Sequence, residues 1–137
     1  MIAAPATLLE RPYCGATWHR GITPRFARRA LSKRLGDAID HLLVTQHVLV
    51  IHAADRIAAW CCYTPLKTTS VVHYVYVRKE HRLDGIATDL LGACGVDLSA
   101  PIPYTGIDGG RTERLVSRIV RDSGHITRRL PIEEVLL

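Results

Sequence analysis

The chain has 137 residues, of which 47% are hydrophobic and 23% are charged, and its formal net charge is +5. These proportions are ordinary for a globular protein, and this length suits one domain over residues 1–137 that buries about two-thirds of its unfolded surface. No apolar run approaches the roughly 18 residues of a membrane helix, and the chain does not start with a basic segment followed by a long apolar one. We therefore expect a cytoplasmic protein with no membrane partner.

The start of the chain offers one weak candidate for a first strand, at residues 6–9. Pro5 and Pro12 flank this stretch and limit its length. A sheet that lacks its first strand, or borrows it from a second copy, is therefore an alternative. An unpaired sheet edge invites strand pairing, so we expect a homodimer that completes the sheet, with a monomer left open.

The next stretch predicts a helix and then a hairpin. Thr23 and Pro24 are typical of a helix start, and apolar residues recur at helical spacing from there to about residue 43. Residues 48–51 and 57–63 predict two strands joined by a turn at residues 53–56. Cys61 and Cys62 in the second strand would point to opposite faces of the sheet.

The four cysteines do not form a metal-binding pattern. None of the pairs has C-x-x-C spacing, so we expect four reduced thiols and no metal site; they are Cys14, Cys61, Cys62 and Cys94.

Residues 71–77 predict the central strand of the sheet. The run is β-branched and aromatic without a break, which is typical of a strand covered on both faces. From Ile86 onward the apolar residues follow helical spacing, and Gly95 stands where a helix is expected to stop.

The turn between this strand and this helix carries the strongest functional signal. Arg82, Gly85 and Ala87 fit the pattern R-x-x-G-x-A. Glycine lets the backbone bend and approach a ligand closely, alanine leaves the approach open, and the free amides of the first helical turn point outward at the positive end of the helix dipole. The sequence therefore predicts a diphosphate site. It has neither the G-x-G-x-x-G fingerprint nor the lysine of a P-loop.

From Val71 to Leu91 the chain resembles the GNAT acetyltransferase superfamily, in which a central strand leads into [Q/R]-x-x-G-x-[G/A] and a helix. It is also similar in outline to small GNAT-like proteins encoded by phages and prophages, which would place it in the host cytoplasm. The resemblance implies an α/β (α+β) fold with one GNAT-like domain, in which a mixed, mostly antiparallel central sheet is flanked by helices. It further implies acetyl-CoA as cofactor, held by Val75, Tyr76, Val77, Arg82, Leu83, Asp84, Gly85, Ile86, Ala87 and Thr88.

Catalysis in such a site needs an oxyanion site, a base and an acid. Main-chain amides near Tyr76 and Val77 would hold the thioester oxygen. His73 is the candidate base, with a structural core histidine as the alternative. Alignment with the family places Val120 where many members carry a tyrosine acid. Tyr104, or secondly Tyr76, is the candidate acid, although either phenol can equally be a packed core aromatic.

The second half of the chain continues with a strand at residues 102–106, a helix at residues 112–123 and a last strand within residues 125–130. Basic residues cluster in the two helices that flank the sheet: Arg25, Arg28, Arg29, Lys33 and Arg34 in the first, and Arg111, Arg114, Arg118 and Arg121 in or beside the second. Such a stripe is typical of a solvated helix face, and if functional it suits an acidic protein or a nucleic acid.

The sequence leaves three functions open. The first is an acetyl-CoA-dependent N-acyltransferase that acts on an amine of a protein or small molecule. The second is a GNAT-fold enzyme that modifies a nucleic-acid base, as in phage DNA modification. The third is a catalytically inactive GNAT-fold protein that binds a host partner.

Overall fold

The computed structural model describes residues 2–22, 29–82, 85–105 and 128–129. Their elements, in chain order, are β1 (Ala3–Pro5), α1 (Arg11–Ile22), α2 (Arg29–Thr45), β2 (His47–Ala53), β3 (Arg56–Pro65), β4 (Ser70–Val77), a 3₁₀ turn (Lys79–His81), α3 (Ile86–Ala93), β5 (Pro103–Tyr104) and β6 (Arg128–Arg129).

The strands form one six-stranded sheet whose spatial order, β1-β2-β3-β4-β5-β6, equals the chain order. The first four strands pair antiparallel, whereas β5 pairs parallel with β4 and β6 pairs parallel with β5. The change of direction needs a crossover between β4 and β5, which α3 provides. The predicted fold class, a mixed and mostly antiparallel sheet flanked by helices, is confirmed.

Each face of the sheet carries its own apolar core. On one face, Ile86, Leu90 and Leu91 of α3 pack against strand residues that include Val75 and Val77. On the other face lies a second core, built around the aromatic rings of Trp18, Trp60 and Tyr74 and contacts from α1 and α2. Since both faces are covered, β4 is buried along its length apart from the half-buried Tyr76, and the prediction of a central strand is confirmed.

The cysteines follow the same division between faces. Cys61 belongs to the core beneath α3 and Cys62 to the core beneath α1 and α2, as strand alternation predicts. All four cysteines are buried free thiols. In the described part of the chain, no three His, Cys, Asp or Glu side chains come together in a way that could hold a metal ion.

The strand β4 contains an irregularity at His73. Cys62 of β3 pairs with Tyr74 and the next residue, Tyr63, pairs with Val72. His73 is therefore an extra residue between two paired positions, which is the geometry of a β-bulge. Bulges redirect a side chain from the regular alternation, so His73 does not simply continue either face of the strand.

The predicted first strand is wrong in position. Residues 7–9 are not in a strand, and Leu8 and Leu9 are 85% and 92% exposed. The strand lies at Ala3–Pro5 instead, where it pairs with β2. The first strand is thus short, but it is supplied by this chain.

The helix α1 was missed from the sequence, although a helix-start signal precedes it. The backbone N–H of Thr7 donates to Glu10 Oε1 at 3.0 Å, and the backbone N–H of Glu10 donates to Thr7 Oγ1 at 3.2 Å. This reciprocal pair is a capping box. Pro12 is the second residue of α1 and has no N–H to donate.

The remaining predicted elements agree in part with the structure. The first predicted helix is confirmed from residue 29 onward as α2, and the hairpin as β2 and β3. The strand at residues 102–106 is confirmed as the shorter β5, and the last strand as the two residues of β6. The helix start at Thr23 and Pro24 and the helix at residues 112–123, with Val120, lie outside the described residues. Within the described ranges, no helix is both long and apolar enough to cross a membrane.

Candidate functional site

The turn that leads into α3 has an open backbone at Gly85. This residue is the N-cap of α3 and has φ +74°, in the left-handed region that favours glycine. Apart from its chain neighbours, no described residue has an atom within 4 Å of a Cβ built on Gly85. The assignment of this turn to a cofactor stays a prediction.

The amide groups of residues 85–88, which are the predicted donors to a diphosphate, lie at the start of α3. The first N–H groups of a helix have no partner within the helix. No described residue accepts a hydrogen bond from the N–H groups of residues 85–88, whereas Asp89 N–H already closes the first turn onto Gly85 O at 3.2 Å. Since the positive end of the helix dipole lies at the same place, the site favours an anion.

Arg82 fixes the turn to the end of the central strand. Its Nε donates a hydrogen bond of 3.0 Å to the carbonyl oxygen of Val77, the last residue of β4. Arg82 is exposed. Its guanidinium carries a permanent positive charge and has further N–H groups besides Nε. Leu83 and Asp84, which the sequence also assigned to this site, lie outside the described residues.

The strand residues assigned to the cofactor differ in their exposure. Val75 and Val77 are buried beneath α3, so their side chains serve the core and only their main chains could meet a ligand. Tyr76 is half-buried on the opposite face. The described pairing between β4 and β5 joins Val72 to Tyr104, at the start of β4.

His73 is fully buried, and described side chains contact both of its ring nitrogens. Nε2 lies 2.7 Å from Thr64 Oγ1, and Nδ1 lies 3.0 Å from Thr105 Oγ1. Burial lowers the pKa of His73 from 6.5 to about 4. The ring is therefore neutral at pH 7.

The direction of each hydrogen bond at His73 follows from the other hydrogen bond that Thr64 makes. Thr64 Oγ1 donates its single proton to Gln46 Oε1 at 2.7 Å, so it must accept one from His73 Nε2. That leaves Nδ1 without a proton, to accept from Thr105 Oγ1. The lone pair of the neutral imidazole thus points at Thr105.

The two candidate tyrosine acids lie in different cores. Tyr104 is buried in the core beneath α3, whereas Tyr76 packs at the margin of the core beneath α1 and α2. The structure brings His73 close to the residue after Tyr104, namely Thr105, but it does not bring both phenols to one side of the sheet. Their assignment to catalysis, like that of His73, stays a prediction.

The threonine partners of His73 were not recognised from the sequence. Thr105 is 32 residues away in the chain, and no local pattern joins it to His73. Thr64 is nearer, because the β3–β4 hairpin folds it back beside the bulge. The contact between Thr64 and His73 could have been predicted if the register of β3 and β4 had been known.

Comparison with known proteins gives a fold but no close relative. No protein-family model and no curated protein matches the sequence. Among solved structures, a possible acetyltransferase from Clostridium difficile 630 is 18% identical with a TM-score of 0.50, and the match covers 67% of this chain and 66% of that one. An aminoglycoside antibiotic 6'-N-acetyltransferase from Acinetobacter haemolyticus is 14% identical with a TM-score of 0.53, over 95% of this chain and 94% of that one.

A third match, to an acetyltransferase assigned to the GNAT family from Desulfovibrio desulfuricans, is 17% identical with a TM-score of 0.44, over 67% of this chain and 61% of that one. The chain thus spans slightly less than two thirds of the length of the Clostridium and Desulfovibrio proteins. Identities this low carry information about architecture only. The matches to the Clostridium and Acinetobacter structures show that the chain shares the fold of these acetyltransferases, in agreement with the sheet order and the crossover through α3.

Proposed function

We propose that the protein is an acetyl-CoA-dependent N-acyltransferase that transfers an acetyl group to an amine of a protein or small molecule. The observation that carries the proposal is the open, left-handed Gly85 at the start of α3, directly after the central strand of a GNAT-type fold. A turn of this shape presents main-chain donors to a diphosphate without side-chain obstruction.

The chain's own residues supply binding and orientation. The amides of residues 85–88 would hold the diphosphate, with the charge of Arg82 beside them. Main-chain groups at Tyr76 and Val77 would orient the thioester, and a donor aimed at the carbonyl oxygen would stabilise the negative charge that develops there. Acetyl-CoA supplies the activated acetyl group.

Proton transfer is the open part of this mechanism. An amine is protonated in water and must lose a proton before it attacks. As a base, His73 would have to exchange its Thr105 contact for the substrate, and burial lowers its proton affinity. The proposal therefore assigns cofactor binding to the turn and leaves His73, Tyr104 and Tyr76 as predictions for the base and the acid.

The test is acetyl-CoA binding to two variants at position 85, measured by calorimetry. Gly85→Asp and Gly85→Asn have side chains of similar size, and both residue types tolerate the left-handed region better than other residues. Beyond its chain neighbours, no described residue lies within 4 Å of a Cβ at position 85, which both side chains share. Only the aspartate places a negative charge at the amide donors, so we expect it to weaken binding by at least about tenfold more than the asparagine, or about 1.4 kcal/mol.

Thermal melts without ligand provide the control that both variants remain folded. Equal affinities for wild type and both variants would remove the diphosphate site. Loss of binding in both variants to the same extent would mean that steric obstruction, rather than charge, acts at this position.

One observation favours a second candidate, a GNAT-fold protein that has lost catalysis. His73 is neutral, buried and engaged by two threonines, which is what a structural residue requires. Release of free CoA from acetyl-CoA in the presence of a panel of amines separates the two functions. Binding without any amine-dependent release would support the second candidate.

Modification of a nucleic-acid base has no support among the described residues and stays a prediction. The arginines at positions 111, 114, 118 and 121, which form the second of the two basic clusters, lie outside the described residues. Phage relatedness, a homodimer and a cytoplasmic location likewise stay predictions.

A further inference from the structure

A cavity of about 140 Å³ lies at the end of the sheet where β3 begins and β4 ends. Its charged lining residues are Arg56, Arg78, Glu80 and His81, and the remainder of its wall is apolar. The volume equals that of about four or five water molecules in the liquid. It suits a small ion or one polar group of a larger ligand.

The position of Arg78 is fixed by the sheet. Its backbone N–H donates to Ala58 O at 2.8 Å, which holds the residue just beyond β4 beside the first residues of β3. Arg56 is the first residue of β3 and therefore lines the same cavity from the neighbouring strand. Two permanent positive charges thus face one cavity from two adjacent, hydrogen-bonded strands.

The guanidinium of Arg78 forms only a long ion pair within the part of the chain that the structure describes. Its side chain is only 19% exposed, yet its ion pair with Glu80 is long, with 3.9 Å between Nε and Oε2. No other carboxylate in the described ranges lies at ion-pair distance from Arg78. A guanidinium has five N–H donors, and one long ion pair leaves donors that solvent or a ligand can use.

Glu80 is a weak competitor for these donors. Its side chain is 67% exposed, and an exposed ion pair contributes little to stability. The pKa of its carboxyl is lowered first by a hydrogen bond from its own backbone N–H and then by the charges of Arg78, His81 and Arg56. Arg56, Arg78 and His81 therefore line the same cavity as the carboxyl group of Glu80.

We propose that this cavity binds a phosphate group, free or carried on a ligand, between Arg56 and Arg78, with Glu80 displaced toward solvent. Arginine matches phosphate because its planar N–H groups pair with two oxygens at once. The site is separate from the turn at residues 82–88, which uses main-chain amides, so it does not depend on the proposed function.

The test is a titration of the ¹⁵N-labelled full chain with inorganic phosphate at constant ionic strength, followed by amide chemical shifts and with chloride as the reference anion. We expect saturable shifts at residues 56–58 and 78–81. Arg56→Gln and Arg78→Gln should each weaken binding at least tenfold, whereas Glu80→Gln should strengthen it severalfold because it removes the competing charge. Lys67→Gln, which makes the same charge change in an exposed loop, is the matched control and should leave the affinity unchanged.

A second titration with phosphoethanolamine identifies the source of the phosphate. Tighter binding than inorganic phosphate would assign the site to a phosphorylated amine, and equal binding would assign it to free phosphate. Gly85→Asp should leave the shifts at residues 56–58 and 78–81 unchanged even if it abolishes acetyl-CoA binding, so failure of one proposal is distinguishable from failure of the other. Shifts that do not saturate, or that persist in the two arginine variants, would overturn the proposal.

Discussion

Lowering the pH from 7.5 to 4 is predicted to remove a defined part of the folding free energy through His73. The ring binds a proton below about pH 6.5 in the unfolded chain, whereas in the fold it stays neutral down to about pH 4. The unfolded state therefore holds more protons throughout this window. Stability is fully present above pH 6.5 and falls as the pH decreases toward 4.

The size of the effect follows from the difference between the two pKa values. A shift from 6.5 to about 4 is about 2.5 units. Each unit corresponds to 1.36 kcal/mol, so the loss is about 3 kcal/mol. That is a large fraction of the roughly 5–15 kcal/mol by which a typical domain is stable.

The assay is urea unfolding at several pH values for wild type and His73→Gln. Glutamine keeps a donor for Thr64 but does not titrate in this range, and the two proteins share every other titrating group. The difference between their unfolding free energies should therefore change by about 3 kcal/mol between pH 7.5 and 4, in favour of the variant at low pH.

Parallel pH profiles for the two proteins would refute this reasoning. An NMR titration of the His73 ring gives the same answer if the variant does not fold. A measured pKa near 6.5 would show that burial does not suppress protonation, and His73 would again be a strong candidate for the general base.

Three further predictions concern stability and reactivity. Gly95→Ala should destabilise the fold by about 1–2 kcal/mol in urea unfolding, because φ is +82° and the new Cβ would lie 3.3 Å from Ser70 Oγ. Gly92→Ala, at an exposed position inside α3 just before it, should instead stabilise the fold by about 0.5–1 kcal/mol, and equal effects would contradict the argument. Thr7→Ala should cost about 1 kcal/mol by removing the cap of α1, while a serine there should preserve it. A thiol reagent should react with the four buried cysteines only after unfolding, since burial raises the pKa of Cys14 to about 12; rapid reaction of the native protein would contradict this.

The central strand and the turn after it could be predicted because local physics determines them. A β-branched and aromatic run buried on both faces has few other conformations available, and β4 begins within one residue of its predicted start. Gly85 and Gly95 both have positive φ, at the turn and at the helix end that the sequence indicated. Each of these features depends on neighbours in the chain.

The first strand and the helix α1 could not be predicted in the same way. Leu8 and Leu9 indicated a strand by hydrophobicity, but the capping box between Thr7 and Glu10 overrides that preference and leaves both leucines exposed. The α1 helix buries Cys14 and Trp18, which are four residues apart, a pattern too short to stand out beside Pro12.

The catalytic predictions depended on contacts that are distant in sequence. The role of His73 is shaped by Thr105, 32 residues away, and by a bulge that shifts the pairing of β3 and β4. No residue preference within β4 signals either feature. The separation of Tyr76 and Tyr104 into different cores likewise follows from the packing of the complete sheet.

The identity between strand order and chain order has a consequence for synthesis on the ribosome. When each of β2, β3 and β4 is synthesised, the strand before it in the sheet has already been made. The antiparallel part of the sheet, β1 to β4, can therefore assemble while translation continues. The edge of β4 that pairs with β5 remains unpaired until α3 and β5 have been synthesised. During that interval a nascent chain exposes an apolar strand that other chains can pair with, and polypeptides released between residues 78 and 102 are expected to aggregate.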